Sequence, residues 1–92
     1  MLGPEELRLL ISQGLGLRYL LPLAVEVLRV DPMAEGDLYP GDLLSAALFR
    51  EPRAWADVPD AAREMCRIVA GIADPPPGMR RAAQYLEEMG GG

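Results

Sequence analysis

The acidic segment DPMAEGDLYPGD, residues 31–42, holds the side chains that could do chemistry. Its four carboxylates belong to Asp31, Glu35, Asp37 and Asp42. The segment has the length and the carboxylate content of a calcium-binding EF-hand loop. The match fails where Met33 occupies the third ligand position, which needs an oxygen, and where Asp42 occupies the last position, which needs a bidentate glutamate. We therefore predict that the segment binds no metal.

The rest of the sequence offers little for catalysis. It contains no histidine, which removes the commonest general base, the commonest transition-metal ligand and every Ser-His or Cys-His nucleophile. Its single cysteine, Cys66, lies in the apolar-periodic stretch REMCRIV and is interpreted as a small buried hydrophobe, not a reactive thiol. We therefore predict a protein that is not an enzyme, with no catalytic residue and no cofactor.

A structural role explains part of the acidic segment. Asp42 lies near a predicted helix start, where a carboxylate accepts backbone N–H bonds and offsets the helix dipole. Asp31 precedes a proline and would cap a single turn, while Gly36 and Gly41 are typical turn residues. This interpretation gives Glu35 and Asp37 no capping role and treats them as ordinary solvated charges of a loop.

A recognition role explains the segment as a whole. Its carboxylates contribute −4 without one basic residue, whereas nine arginines face ten acids elsewhere, a sum of −1 within the net charge of −5. Mutual repulsion among these carboxylates would be relieved by a positively charged protein, and their charge would steer that protein in. A nucleic acid or an anionic membrane would need the opposite charge. The predicted partner-binding residues are Asp31, Glu35, Asp37, Tyr39 and Asp42.

Tyr39 has two open interpretations. An exposed tyrosine among charges is an amphipathic anchor of the kind found in binding hot spots. A tyrosine packed beneath the loop would serve the core instead.

Apolar residues at helical spacing, separated by proline and glycine, predict a compact all-α bundle of four to five short helices. The first helix follows Pro4 and ends at Gly14 and Gly16. A short turn over residues 17–21 then precedes a helix from Pro22 to Val30, and one continuous kinked helix is the alternative. The third helix begins at Pro40.

The second half of the chain predicts a connector and two more helices. In EPRAWADVP, Trp55 and Val58 are expected to fold back over the core. A fourth helix opens at residues 57–60 and stops at the prolines of segment 74–78. The last helix, residues 79–89, is weakly apolar and is expected to dock loosely. Its inward face carries Met79, Ala82, Ala83 and Leu86.

Length and composition limit the organisation of the protein. The 92 residues suffice for one domain, residues 1–92, with one modest core. No apolar run is long enough to cross a membrane, and no basic leader precedes the first helix. A lone cysteine cannot form an internal disulfide, so we expect a reducing, cytoplasmic setting.

Several short motifs follow one another along the chain. They are Leu7-Arg8, QGLGL at 13–17, the residues Leu21, Pro22, Ala24 and Leu28, then Pro32, AEGDLYPGDLL at 34–44, and Trp55. In this order they resemble the immunity proteins of bacterial contact-dependent growth inhibition systems, and the resemblance covers residues 7–58. It departs at Leu38, where an aromatic is expected, and in the tail 74–92, so the helix at 79–89 could be an added element.

The resemblance implies a cytoplasmic antidote that binds the C-terminal toxin domain of a delivered effector, often a nuclease, and blocks it. It transfers no toxin-contact residue. Two other functions remain open on the sequence, a phage-encoded acidic decoy that inhibits a nucleic-acid-binding complex and a non-enzymatic helical interaction module. Self-association is left open.

Overall fold

Six α-helices make up most of the part of the chain that the computed structural model describes, which is residues 3–36, 38–50, 52–75 and 78–90. The helices are α1 (Pro4–Ser12), α2 (Leu17–Val30), α3 (Asp42–Leu48), α4 (Pro52–Ala56), α5 (Pro59–Ala70) and α6 (Met79–Gly90). No strand occurs within these ranges, and the predicted all-α class is confirmed. The count exceeds four to five because part of the predicted connector is itself the short helix α4.

The first helix begins and ends as the sequence predicts. Pro4 occupies its first turn, and the side chain of Glu6 accepts a hydrogen bond from the backbone N–H of Gly3, with 3.0 Å between N and Oε2. This bond satisfies a backbone donor that has no partner inside the helix. The helix ends at Ser12.

Helix α2 is continuous from Leu17, so the prediction of a turn over residues 17–21 was wrong, and the continuity of the alternative is confirmed. Pro22 lies inside the helix, where it removes one backbone hydrogen bond at a cost of about 3 kcal/mol. Burial offsets this cost, at about 1.5–3 kcal/mol for each large apolar side chain removed from water. The buried residues of α2 are Leu20, Leu21, Ala24, Val25 and Leu28.

Helix α3 begins at Asp42, two residues later than predicted. Pro40 belongs to the preceding turn, and Gly41 is the residue before the helix, with a φ of 88° that ends the turn in a left-handed conformation. In α4, Trp55 is buried and its indole Nε1–H donates to the backbone oxygen of Ala47 at 3.0 Å. Trp55 thus covers the core as predicted, but from a helix instead of a loop.

The core lies where α1, α2 and α3 meet α5 and α6. Helix α6 packs against α3, α4 and α5 and buries Met79, Ala83 and Leu86 on the predicted face, which is closer docking than its weak apolarity predicted. The largest fully buried apolar side chains are Trp55, Leu7, Ile11, Leu21, Leu28, Leu43, Leu44, Leu48, Met65, Met79 and Val69. Within the described ranges, every helix is too short or too polar to cross a membrane.

Candidate partner-binding surface

Among the carboxylates of the acidic segment that the structure describes, that of Asp42 is buried, with 2% of the residue's surface exposed. Its carboxylate closes the loop before α3. The backbone N–H of Gly36 donates to Oδ1 at 2.5 Å, and the backbone N–H of Leu38 donates to Oδ2 at 2.9 Å. On the other side, the Nε of Arg8 in α1 lies 3.8 Å from Oδ2. Asp42 therefore fixes the loop both to α3 and to α1.

Gly36 makes this arrangement possible because it has no side chain. A Cβ atom at Gly36 would lie 3.1 Å from both carboxylate oxygens of Asp42 and 3.2 Å from the Cβ of Arg8. These distances are shorter than ordinary van der Waals contacts. The sequence predicted a turn at Gly36. The structure shows a second reason for glycine here, which is that its backbone lies close to the carboxylate of Asp42.

The electrostatics of Asp42 follow from this geometry. Burial alone would raise the pKa of Asp42, but hydrogen bonds from surrounding backbone N–H groups, that of Gly36 first, hold the pKa below its ordinary value of 3.8. The carboxylate is thus charged at neutral pH and compensated inside the fold. Because the side chain is enclosed, we assign Asp42 to positioning the loop and not to contact with a partner.

Asp31, Glu35 and Tyr39 lie on the outside of the loop. Asp31 also accepts a hydrogen bond from the backbone N–H of Met33, at 3.2 Å, which is the local turn predicted for it. Tyr39 is half exposed, so it does not pack beneath the loop. The remaining predicted residue, Asp37, lies outside the described residues. The loop thus brings two carboxylates and a tyrosine to one exposed segment.

The two exposed carboxylates are uncompensated by the described part of the chain. No arginine there forms an ion pair with Asp31 or Glu35. The arginine nearest to them in sequence, Arg29, pairs instead with Glu64 of α5, with 2.9 Å between Nε and Oε1. Asp31 and Glu35 are thus exposed and Asp42 is buried, and contact of the two exposed carboxylates with a partner stays a prediction.

Sequence reasoning missed the apolar part of this surface. Met33 and Leu38 are exposed beside the carboxylates, at 43% and 62%. Interfaces between proteins combine apolar anchors with a polar rim, so these two side chains belong to the candidate surface. The signal was available in the sequence, because the segment alternates acids with large apolar residues.

The thiol of Cys66 contributes nothing to this surface. It lies between α5 and α6, and its Sγ donates to the backbone oxygen of Ala83 at 3.2 Å. Burial raises the pKa of Cys66, and the nearby negative charge of Glu87 raises it further, so the thiol is uncharged at neutral pH. Among the described residues, no group of three or more His, Cys, Asp or Glu side chains is placed to share a metal ion.

Replacing Gly41 with alanine is expected to destabilise the protein by about 1–2 kcal/mol, because a left-handed residue with a Cβ is strained. The new Cβ would also lie 2.9 Å from the Cε of Met33, which must move. Gly78→Ala is the matched control, since Gly78 has a similar φ of 85° and open space around it. In urea denaturation, Gly41→Ala should lose at least as much free energy of unfolding as Gly78→Ala. A smaller loss than that of Gly78→Ala would contradict the contact with Met33.

A helical scaffold that holds an exposed anionic and apolar loop is typical of a protein that binds another protein. The comparison with protein families agrees, because the family model of CDI immunity proteins, those of contact-dependent growth inhibition, matches residues 1–65. The chain therefore belongs to the CDI immunity protein family. The partner that this family implies is a cognate toxin protein. No curated protein and no solved structure gave a significant match.

Proposed function

We propose that the protein neutralises the C-terminal toxin domain of a CDI effector in the cytoplasm by covering the surface on which that domain acts. The toxin domain is a nuclease, and the antidote acts without catalysis. The observation that carries the proposal is that Asp31 and Glu35 are exposed and form no ion pair with any described arginine, on a loop anchored by Asp42. Membership of the immunity family favours this function over a phage-encoded decoy.

The chemistry of a nuclease explains why carboxylates would block it. A nuclease must be cationic where it holds the phosphate backbone of its substrate. Carboxylates of the antidote can occupy the positions of phosphates and pair with the same cationic side chains. Asp37 would join Asp31 and Glu35 in this role.

Anchoring of the loop strengthens such binding. A segment that is already held in one conformation loses less conformational entropy when it binds than a free loop does. The carboxylate of Asp42 holds the backbone at Gly36 and Leu38, on both sides of the charged centre of the segment. Asp42 therefore supports recognition by holding the loop in one conformation, without touching the toxin.

The test is the double variant Glu35→Ala, Asp37→Ala. Its affinity for an inactivated C-terminal domain of the cognate toxin is expected to fall about 30-fold or more, because truncating a desolvated charge partner costs about 2–5 kcal/mol. Helicity and melting temperature should not change, since Glu35 is exposed. Isothermal titration calorimetry and circular dichroism measure the two outcomes.

The matched control is Asp74→Ala with Glu88→Ala, which removes the same charge from exposed positions outside the segment. Equal affinities of the two double variants for the toxin domain would show that the contact surface lies outside the acidic segment. A complex that is insensitive to salt would contradict the electrostatic mode of binding. Failure of the wild-type protein to copurify with the toxin domain would overturn the proposed function itself.

A further inference from the structure

Helix α2 presents a stripe of large apolar side chains to solvent. Tyr19 is 72% exposed, Leu23 41% and Val30 87%. Their spacing places them on one face of the helix, together with Glu26. Single exposed apolar residues are ordinary, but several in line on one helix mark an interaction surface. We call Tyr19, Leu23, Glu26 and Val30 the α2 stripe.

Rotation of α2 about its axis cannot bury the α2 stripe in this fold. The opposite face of the helix buries Leu21, Ala24 and Leu28 completely, so rotating the helix would expose the core. At a rise of about 1.5 Å per residue, the stripe is about 16 Å long. That length suits a helix or an extended segment of another protein.

The ring of Tyr19 contacts the side chain of the preceding residue. The guanidinium carbon of Arg18 lies 5.9 Å from the centroid of the ring, within range of a cation–π interaction. A tyrosine brings a large contact area to an interface at a low cost in conformational entropy, because its side chain has only two χ angles. Tyr19 is therefore suited to act as an anchor.

The two ends of the α2 stripe differ in charge. Arg18 lies at the N-terminal end, and Val30, at the C-terminal end, is followed by Asp31 at the start of the acidic loop. Glu26 is exposed near the midpoint. A complementary partner would therefore place positive charge opposite Glu26 and Asp31 and none opposite Arg18.

We propose that the α2 stripe is the apolar centre of the toxin-binding surface and that the acidic loop is its charged rim. This proposal rests on the proposed function. The toxin segment that binds here carries apolar side chains over Tyr19 and Val30 and basic side chains toward residues 26–35. Such an arrangement has the apolar centre and polar rim of a specific protein interface.

A second copy of this chain satisfies the charges of the stripe only in part. A two-fold axis that pairs two α2 helices antiparallel would place Arg18 opposite Asp31 of the other copy, but it would place Glu26 opposite Leu23. A carboxylate enclosed against an apolar side chain without a partner is costly. A basic toxin segment avoids this cost, because a cation opposite Glu26 would pair with it.

The experiment compares Tyr19→Ala with Tyr85→Ala. Tyr85 is an exposed tyrosine of α6, at 55%, and serves as the matched control. The probe is the same inactivated toxin domain, titrated at low and at high salt. We expect Tyr19→Ala to weaken binding about tenfold or more at both salt concentrations, as for a hot-spot aromatic, and Tyr85→Ala to leave affinity unchanged. Both variants should melt like the wild type.

The outcomes separate this proposal from the proposed function. If the wild type binds and the Glu35→Ala, Asp37→Ala variant binds weakly, but Tyr19→Ala equals Tyr85→Ala, the α2 stripe is not part of the surface and the proposed function stands. If the free protein is a dimer that Tyr19→Ala dissociates, the stripe belongs to a second copy and the proposal is overturned. If the wild type does not bind the toxin domain, both proposals fall.

Discussion

Replacing Asp42 with asparagine is expected to lower the free energy of unfolding by about 3 kcal/mol, because hydrogen bonds to a buried charged group contribute about 1.5–3 kcal/mol each. Asparagine keeps one acceptor oxygen, but its NH₂ group would face the backbone N–H of Gly36 or Leu38, donor against donor. The ion pair between the side chains of Arg8 and Asp42 would also be lost. Urea denaturation followed by circular dichroism measures the loss. A variant within about 0.5 kcal/mol of the wild type would contradict the anchoring role.

The pH dependence of stability gives an independent check of the same group. The folded pKa of Asp42 lies below its ordinary value of 3.8, so the charged form is favoured by folding. Its stabilisation is therefore fully present above the unfolded pKa and is lost as the pH falls through the lower folded pKa. Below about pH 4 the wild type should lose stability more steeply than Asp42→Asn, which has no proton to gain at this site.

Replacing Trp55 with alanine is expected to cost about 3–5 kcal/mol, the usual range for truncating a buried aromatic side chain. Trp55 is 1% exposed, and its helix α4 packs against α2, α5 and α6. The loss would remove a large share of the stability expected for a chain of this size, which is about 5–14 kcal/mol. The midpoint of urea denaturation measures it, and a loss below about 1 kcal/mol would show that Trp55 is not part of the core.

Trp55→Phe separates packing from hydrogen bonding at this position. It keeps most of the buried area but removes the bond from the indole to the oxygen of Ala47. That oxygen retains the backbone N–H of Arg50, at 3.3 Å, so it is not left without a donor. The expected loss is about 1 kcal/mol.

Helix positions were predictable where local signals agree with the tertiary structure. Pro4 is the first residue of α1, and the sequence placed that boundary. The proline segment 74–78 lies beyond the end of α5 at Ala70, so it located the end of that helix only to within a few residues. Pro22 is different, because its local preference favours a break that burial of its neighbours overrides. The start of α3 was misplaced for a related reason. Pro40 fits a helix start, but the loop needs Pro40 and Gly41 for its turn.

The candidate surface was only partly predictable. The number and position of the carboxylates were evident, and the exposure of Asp31 and Glu35 follows from their charge. The inward direction of Asp42 depends on Gly36 and on Arg8, and Arg8 belongs to a helix distant in sequence. No local pattern distinguishes a carboxylate that anchors a loop from one that meets a partner. The α2 stripe could not be predicted from the sequence because α2 is apolar on more than one face, and only the packing shows which face remains exposed.

The way α6 completes the core has a practical consequence for protein engineering. The region that the family model matches ends at Met65, in the middle of α5, whereas Met79, Ala83 and Leu86 pack from beyond it. A chimera that joins this chain to another member of the family after Met65 would divide α5 between two proteins, and the first half of α5 would then face an α6 from the other protein. A crossover in the turn before α6, at Gly78, would keep both helices whole, although the new α6 would have to match the surface of α5.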